Sequence, residues 1–94
     1  MKAERFTLKN IPLLLIGEPS RKVYLYVHGK NGSKEEALDF AELACPAGYQ
    51  VLALDLPEHG ERRGSSEKLL PLVAVPELEA VYSYAAERWK NVSL

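Results

Sequence analysis

Five consecutive residues, Val23-Tyr24-Leu25-Tyr26-Val27, leave a strand with no polar face. Side chains alternate along a strand, so Tyr24 and Tyr26 share one side and Val23, Leu25 and Val27 the other. Both sides then need cover, and a parallel sheet with helices on each face supplies it. A second apolar run, Tyr49 to Leu54, has the same character. Between the two, Ser33-Lys34-Glu35-Glu36 has capping-box spacing: the Ser33 hydroxyl accepts from the Glu36 N–H and the Glu36 carboxylate reaches back to the Ser33 N–H. Ala37, Leu38, Phe40, Ala41, Leu43 and Ala44 continue as a helical apolar face, which Pro46 and Gly48 stop. Strand, helix, strand is the crossover unit of an α/β sheet.

The flanking segments extend this unit. Arg5 to Leu8 and Ile11 to Ile16 read as two strands, and Gly17-Glu18-Pro19-Ser20 as a hairpin turn leading to the third. Glu58 to Ser66 is a polar loop with two glycines, expected to be the most mobile segment. Glu67 to Val75 fits a short helical turn broken before Pro76, which suits the first turn of a second helix. Leu78, Val81, Tyr82, Ala85 and Trp89 form its buried stripe, and residues 91–94 open a further strand. The fold class is therefore α/β in three layers over a single domain, residues 1–94: N-terminal hairpin strands, then parallel strands flanked by helices.

Charge and cysteine content narrow the function. Twelve basic residues face 13 acidic ones, and no basic stripe exists to neutralise phosphates, so nucleic acid has no electrostatic support as a partner. The basic pair Arg62-Arg63 reads as solvated. The lone Cys45 allows no internal disulfide, which suits a reducing, cytoplasmic setting, and it reads as a small buried hydrophobe. Ile11 to Ile16 is too short to span a bilayer, so no membrane partner is expected.

In α/β sheets, ligands bind beyond the carboxyl ends of the strands. His28 and Asp55 sit at two such ends, followed by Gly29 to Gly32 and by Glu58 to Gly64, so these loops should line one crevice. Backbone N–H groups at that rim can hold negative charge developing on a carbonyl oxygen. The chain has neither a Gly-x-Ser-x-Gly nor a late histidine, so this is half of a site. His28 reads as holding the turn through its ring, His59 as fixing its loop, and Asp55 as bracing the turn after it. Together they are too few for a metal site. Ser65-Ser66 lacks the strand–turn–helix setting of a nucleophile. A rival reading takes Gly29-Lys30-Asn31-Gly32-Ser33 as a phosphate loop at a helix start, but Lys30 is followed by Asn31 and neither the P-loop nor the dinucleotide pattern is met. No cofactor is expected.

Val23 to Gly32 resembles the third strand and oxyanion turn of the α/β-hydrolase superfamily, and Tyr49 to Gly60 resembles its fourth strand and Asp-x-Pro-x-His-Gly loop. The resemblance implies that Gly29 permits close backbone approach and that the Lys30 N–H is one oxyanion donor. Asn31, His28, Asp55 and His59 would line or brace the pocket. The second donor would come from the nucleophile elbow after the next strand. With nucleophile, acid and catalytic histidine all absent, the chain is expected to be the N-terminal segment of a serine-type hydrolase of small ester-like substrates, inactive alone. In the family's sheet the third strand lies between the fourth and fifth, so an exposed edge over residues 23–27 and self-association through it are also expected. A non-catalytic oligomerisation module is the alternative.

Overall fold

A computed structural model describes residues 2–29, 32–64 and 71–94. Five strands form one sheet in the order β1-β2-β4-β3-β5: β1 is Ala3–Leu8, β2 Ile11–Ile16, β3 Lys22–Val27, β4 Tyr49–Leu54 and β5 Asn91–Ser93. A 3-10 turn, Lys34–Glu36, leads into helix α1, Ala37–Ala44; a second, Gly60–Arg62, precedes helix α2, Pro71–Arg88. β1 and β2 form an antiparallel hairpin, β2 pairs antiparallel with β4, and β3 runs parallel to both β4 and β5. The expected α/β class and three layers are what the chain adopts.

β4 lies at the centre of the sheet, and burial explains why. Val51, Leu52, Ala53 and Leu54 are at most 1% exposed. Leu52 and Leu54 pack with Ile11, Leu13, Val23, Leu25, the α2 residues Val81 and Ala85, and Trp89 just beyond that helix. Val51 and Ala53 pack on the other side with Leu14, Ile16 and the α1 alanines Ala37, Ala41 and Ala44. Those alanines, spaced i, i+4 and i+7, let α1 approach the sheet closely. Each leucine so buried stabilises the fold by roughly 1.5–3 kcal/mol. The buried Gln50 ties distant segments together: its Oε1 accepts from the Trp89 Nε1–H at 2.7 Å, and its amide nitrogen donates to the Gly17 carbonyl at 3.3 Å.

Several sequence expectations change. Gly17 to Ser20 is no hairpin turn, because β4 lies between β2 and β3. The hairpin is at Lys9-Asn10, two residues with φ of 49° and 69°; consecutive left-handed residues suit a two-residue hairpin loop, and asparagine tolerates that region. The capping box does not form. Ser33 makes no side-chain cap, and Glu36 N–H donates to the Ser33 carbonyl at 3.1 Å. α2 does not start at Pro76; it contains Pro76. The amide that proline lacks would have bonded to the Leu72 carbonyl. Leu72 and Pro76 are both exposed, so water can take that carbonyl. Leu43 and Tyr82 are not core, at 77% and 51% exposed, and Tyr84 packs against the core instead. Residues 67–70 lie outside the described segments.

The expected free edge over residues 23–27 is also revised. β5 covers its first half, pairing Lys22 with Asn91, Val23 with Val92 and Tyr24 with Ser93. Among the described residues, Leu25, Tyr26 and Val27 have no strand on that side.

Candidate functional site

The parallel pairing of β3 with β4 brings Val27 level with Leu54, so the next residues, His28 and Asp55, emerge side by side. Both are buried, at 4% and 0% exposed. The His28 Nε2 accepts from the Leu56 N–H at 3.1 Å, while its Nδ1 lies 2.8 Å from the Gly29 carbonyl. An amide can only donate and a carbonyl only accept, so this network assigns the proton to Nδ1 and keeps the ring neutral. The imidazole thus bridges the two strand-end loops through backbone atoms. The His59 Nδ1 donates to the Pro57 carbonyl at 2.9 Å, and its ring lies 4.8 Å from that of His28.

Gly29 is exposed, and a Cβ there would meet nothing within 4 Å. Its carbonyl also accepts from the Gly32 N–H at 3.0 Å, and its own N–H lies 3.5 Å from Glu36 Oε1. The Glu36 carboxylate occupies the space a Cβ on Gly32 would need, so a larger residue there would have to displace that side chain. Lys30, the expected oxyanion donor, and Asn31 lie outside the described residues.

The strongest polar cluster was not foreseen. Lys34 is fully buried, and its ammonium lies 2.8 Å from Asp55 Oδ2, 2.5 Å from Glu61 Oε2 and 3.2 Å from Glu35 Oε2. The Asp55 carboxylate also accepts from the Lys34 N–H at 2.8 Å and from the Glu61 N–H at 3.0 Å. Burial by itself would push the Asp55 pKa up; the hydrogen bonds from the Lys34 side chain, the Lys34 amide and the Glu61 amide outweigh it and hold the carboxyl below its ordinary range. Burial likewise opposes the Lys34 charge, and the bonds to Asp55, Glu61 and Glu35 overcome it, so the ammonium titrates above its usual value.

Gly60, at φ 55°, passes so close to the Asp55 carboxylate that a Cβ would overlap it. Arg62, 5% exposed, is not solvated as expected. It forms a two-pronged ion pair with Glu77 of α2 at 2.6 and 2.8 Å and donates to the Asp55 carbonyl at 3.3 Å. The loop expected to be mobile is therefore pinned from Asp55 to Arg62; residues 65–70 lie outside the described segments.

Sequence reading thus brought His28, Gly29, Asp55 and His59 to one rim, and it missed Lys34, Glu61, Arg62 and Glu77. One signal was present: a lysine one residue after a helix-start serine runs against the preference for acids in a first turn.

Chemically, the rim combines two neighbouring imidazoles with a lysine among three carboxylates. Three carboxylates against one ammonium make it a poor seat for a polyanion such as a nucleotide. Among the described residues, no group of three or more His, Cys, Asp or Glu side chains is placed to hold a metal, and no helix is long and apolar enough to cross a membrane.

No protein-family model matches the sequence, and no curated protein matches it either. Solved structures do. A Thermus thermophilus protein shares 31% identity at a TM-score of 0.77, over 97% of this chain and 44% of that one. The thioesterase domain of the curacin biosynthetic pathway superposes at TM-score 0.68 with 22% identity, over 89% of this chain and 33% of that one. A bromoperoxidase of Bacillus anthracis gives TM-score 0.65 at 16% identity, over 90% and 32%. This is a partial α/β-hydrolase fold. The chain spans less than half the length of these α/β-hydrolase structures. Within the α/β-hydrolase frame, the His28–Gly29 turn and the Asp55–Arg62 loop stand at the carboxyl edge of the sheet, where such folds bind ligands.

Proposed function

We propose that this chain acts as the N-terminal part of a serine-type α/β-hydrolase domain that cleaves small esters or related acyl bonds, and that it has no triad turnover by itself. The observation carrying this reading is the rim geometry: an exposed Gly29 with open space over its Cα, held by His28 and backed by the Lys34–Asp55–Glu61 cluster. Such a turn offers a fixed backbone donor to a developing oxyanion. This reading assigns the donor role to the Lys30 N–H, with Asn31 next in sequence. Among the described residues the rim brings together no serine, histidine and acid as a triad, and this reading assigns the attacking group and its base to the remainder of the domain.

The register of β5 supports that division of labour. β5 runs parallel to β3, and its last pair is Tyr24 with Ser93. Polypeptide leaving that strand and keeping register would come level with Val27 after about three more residues, at roughly 3.3 Å per residue. A nucleophile turn at that point would face Gly29 across the rim.

The test uses 4-nitrophenyl acetate and a fluorophosphonate. The 94-residue chain alone should give neither turnover nor covalent label. A chimera in which it replaces the matching part of the Thermus thermophilus protein should take one label, on a serine outside this chain. Sustained turnover by this chain alone that survives the phosphonate would overturn the reading.

A non-catalytic assembly module is the second reading, favoured by the unpaired stretch Leu25 to Val27. Self-association of two copies through that edge has only three residues of backbone to use. Sedimentation of the chain as a clean monomer at micromolar concentration would remove self-association from this reading.

A further inference from the structure

The amino ends of the parallel strands carry charge of the opposite sign to the rim. A pocket of about 370 Å³ opens there, lined by Ser20, Arg21, Lys22, Lys90 and Asn91. Three of the five are cations and none is an acid, in a chain whose net charge is −1. Among the described residues, neither Arg21 nor Lys90 takes part in an ion pair. The volume falls within the roughly 300–1,000 Å³ typical of small-ligand sites.

The backbone that carries these cations is fixed from inside the fold. The buried Gln50 accepts from the Ser20 N–H at 3.3 Å and from the Trp89 Nε1–H at 2.7 Å, and it donates to the Gly17 carbonyl at 3.3 Å. One side chain thus ties the loop before Arg21 to the turn before Lys90. The Asn91 N–H then donates to the Arg21 carbonyl at 3.0 Å, and Lys22 pairs with Asn91 in the sheet. Helix ends balance only part of the charge. α1 and α2 both finish at this end, at Ala44 and Arg88. Each C-terminus carries about half a negative charge. Lys22 answers the first, with its ammonium 3.4 Å from the Ala47 carbonyl and 4.3 Å from the centre of the Tyr49 ring. Two half charges against three whole ones leave an excess of about two positive charges.

We propose that this pocket binds a phosphate group in its dianionic form, either free or borne by a small molecule. A phosphate monoester carries about −1.5 to −2 charges at pH 7, which matches the excess. The Arg21 guanidinium offers a planar fork to two phosphate oxygens, Lys22 and Lys90 supply point charges, and the Asn91 amide adds a neutral donor. No acid on the pocket wall opposes the anion, whereas the rim sets three carboxylates around one ammonium. The pocket lies at the opposite end of the strands from His28 and Asp55, and its occupancy does not depend on what the rim does.

The experiment titrates the whole 94-residue chain with methyl phosphate, inorganic phosphate and dimethyl phosphate, following backbone amide shifts by NMR. Physiological salt and mildly alkaline pH are used, so that the first two ligands are dianions and the third a monoanion. Methyl phosphate should saturate in the millimolar range or below and move the amides of Arg21, Lys22, Lys90 and Asn91. Dimethyl phosphate should bind at least tenfold more weakly. Arg21→Gln and Lys90→Gln should each weaken methyl phosphate at least threefold, and the double variant should lose saturation. Lys9→Gln, which removes a cation from the β1–β2 hairpin, should leave binding unchanged. All three positions are exposed, and unchanged emission of the buried Trp89 would show that the variants fold. Tighter binding of methyl phosphate than of inorganic phosphate identifies an esterified ligand, and the reverse order the free ion; either supports a dianion site. Absence of saturation by both dianions, equal affinity for monoester and diester, shifts centred away from these four residues, or full binding by the double variant overturns the proposal. So does a Lys9→Gln loss as large as that of Arg21→Gln, because attraction is then general to the surface.

Discussion

The two ends of the β3–β4 pair are built on opposite principles. At the carboxyl rim, polar bonds join every neighbouring segment: His28 bridges Leu56 and Gly29, Lys34 joins Asp55 to Glu61, and Arg62 joins the loop to Glu77 of α2. Along the β5 side, the surface is apolar, only half paired and open. Polar bonds fix direction and distance, whereas apolar contact is non-directional and tolerates exchange of partners. The rim is therefore the part held in one geometry before anything binds, and the flank is the part left to be completed.

Substitution at the rim should have the largest effects. Lys34→Met keeps the side chain's length but leaves the Asp55 carboxylate buried without its cation. It should cost about 3–5 kcal/mol in urea unfolding, enough to unfold a domain this small. A loss below about 1 kcal/mol would mean that the cluster is a surface pair and the contrast with the flank is false. The same cluster sets the acid limb of stability. Because the folded pKa of Asp55 lies below its ordinary value near 3.8, its contribution is full above that value and fades as pH falls through the lower, folded one. Urea midpoints taken between pH 6 and pH 2 should fall more steeply in the native chain than in Asp55→Asn. Lys34 has the opposite sense, contributing at neutral pH and losing its effect only at strongly alkaline pH.

Gly60→Ala comes next. It combines a positive φ with overlap onto the Asp55 carboxylate, and a loss of about 2 kcal/mol in thermal or urea unfolding is expected. Glu77→Gln, which keeps shape but removes the charge facing Arg62, should cost about 1–2 kcal/mol. Tyr82→Ser, on the open flank, should change stability by less than about 0.5 kcal/mol. A larger loss from Tyr82→Ser than from Glu77→Gln would invert the comparison.

The same divide governs what the sequence disclosed. β3, β4 and α1 were legible because period-2 and helical apolar patterns are local, and they named both faces of the sheet correctly. His28 and Asp55 were legible as neighbours because parallel strands must end together. Lys34 was not, since its burial depends on Asp55, 21 residues away, and Arg62 depends on Glu77, 15 residues away. No local pattern encodes such partners. Pro76 misled for a related reason: the general cost of proline in a helix assumes a carbonyl shut off from water, and here the turn is exposed. Lys9-Asn10 could have been read, since a two-residue gap ending in asparagine between two strands is a hairpin signal.

One consequence of the sheet order concerns how the molecule assembles. β2 and β3 are consecutive in the chain, yet a strand's width separates them, and the strand that fills the gap is made later. During synthesis, the first 48 residues can close only the β1–β2 hairpin; β2 and β3 keep facing edges that nothing yet joins. Because β4 must thread between them and satisfy both at once, its docking is the slow, long-range step of folding. Until it enters, the nascent chain carries a vacant slot with the dimensions of a strand, and that interval is when it is most open to capture by another extended chain.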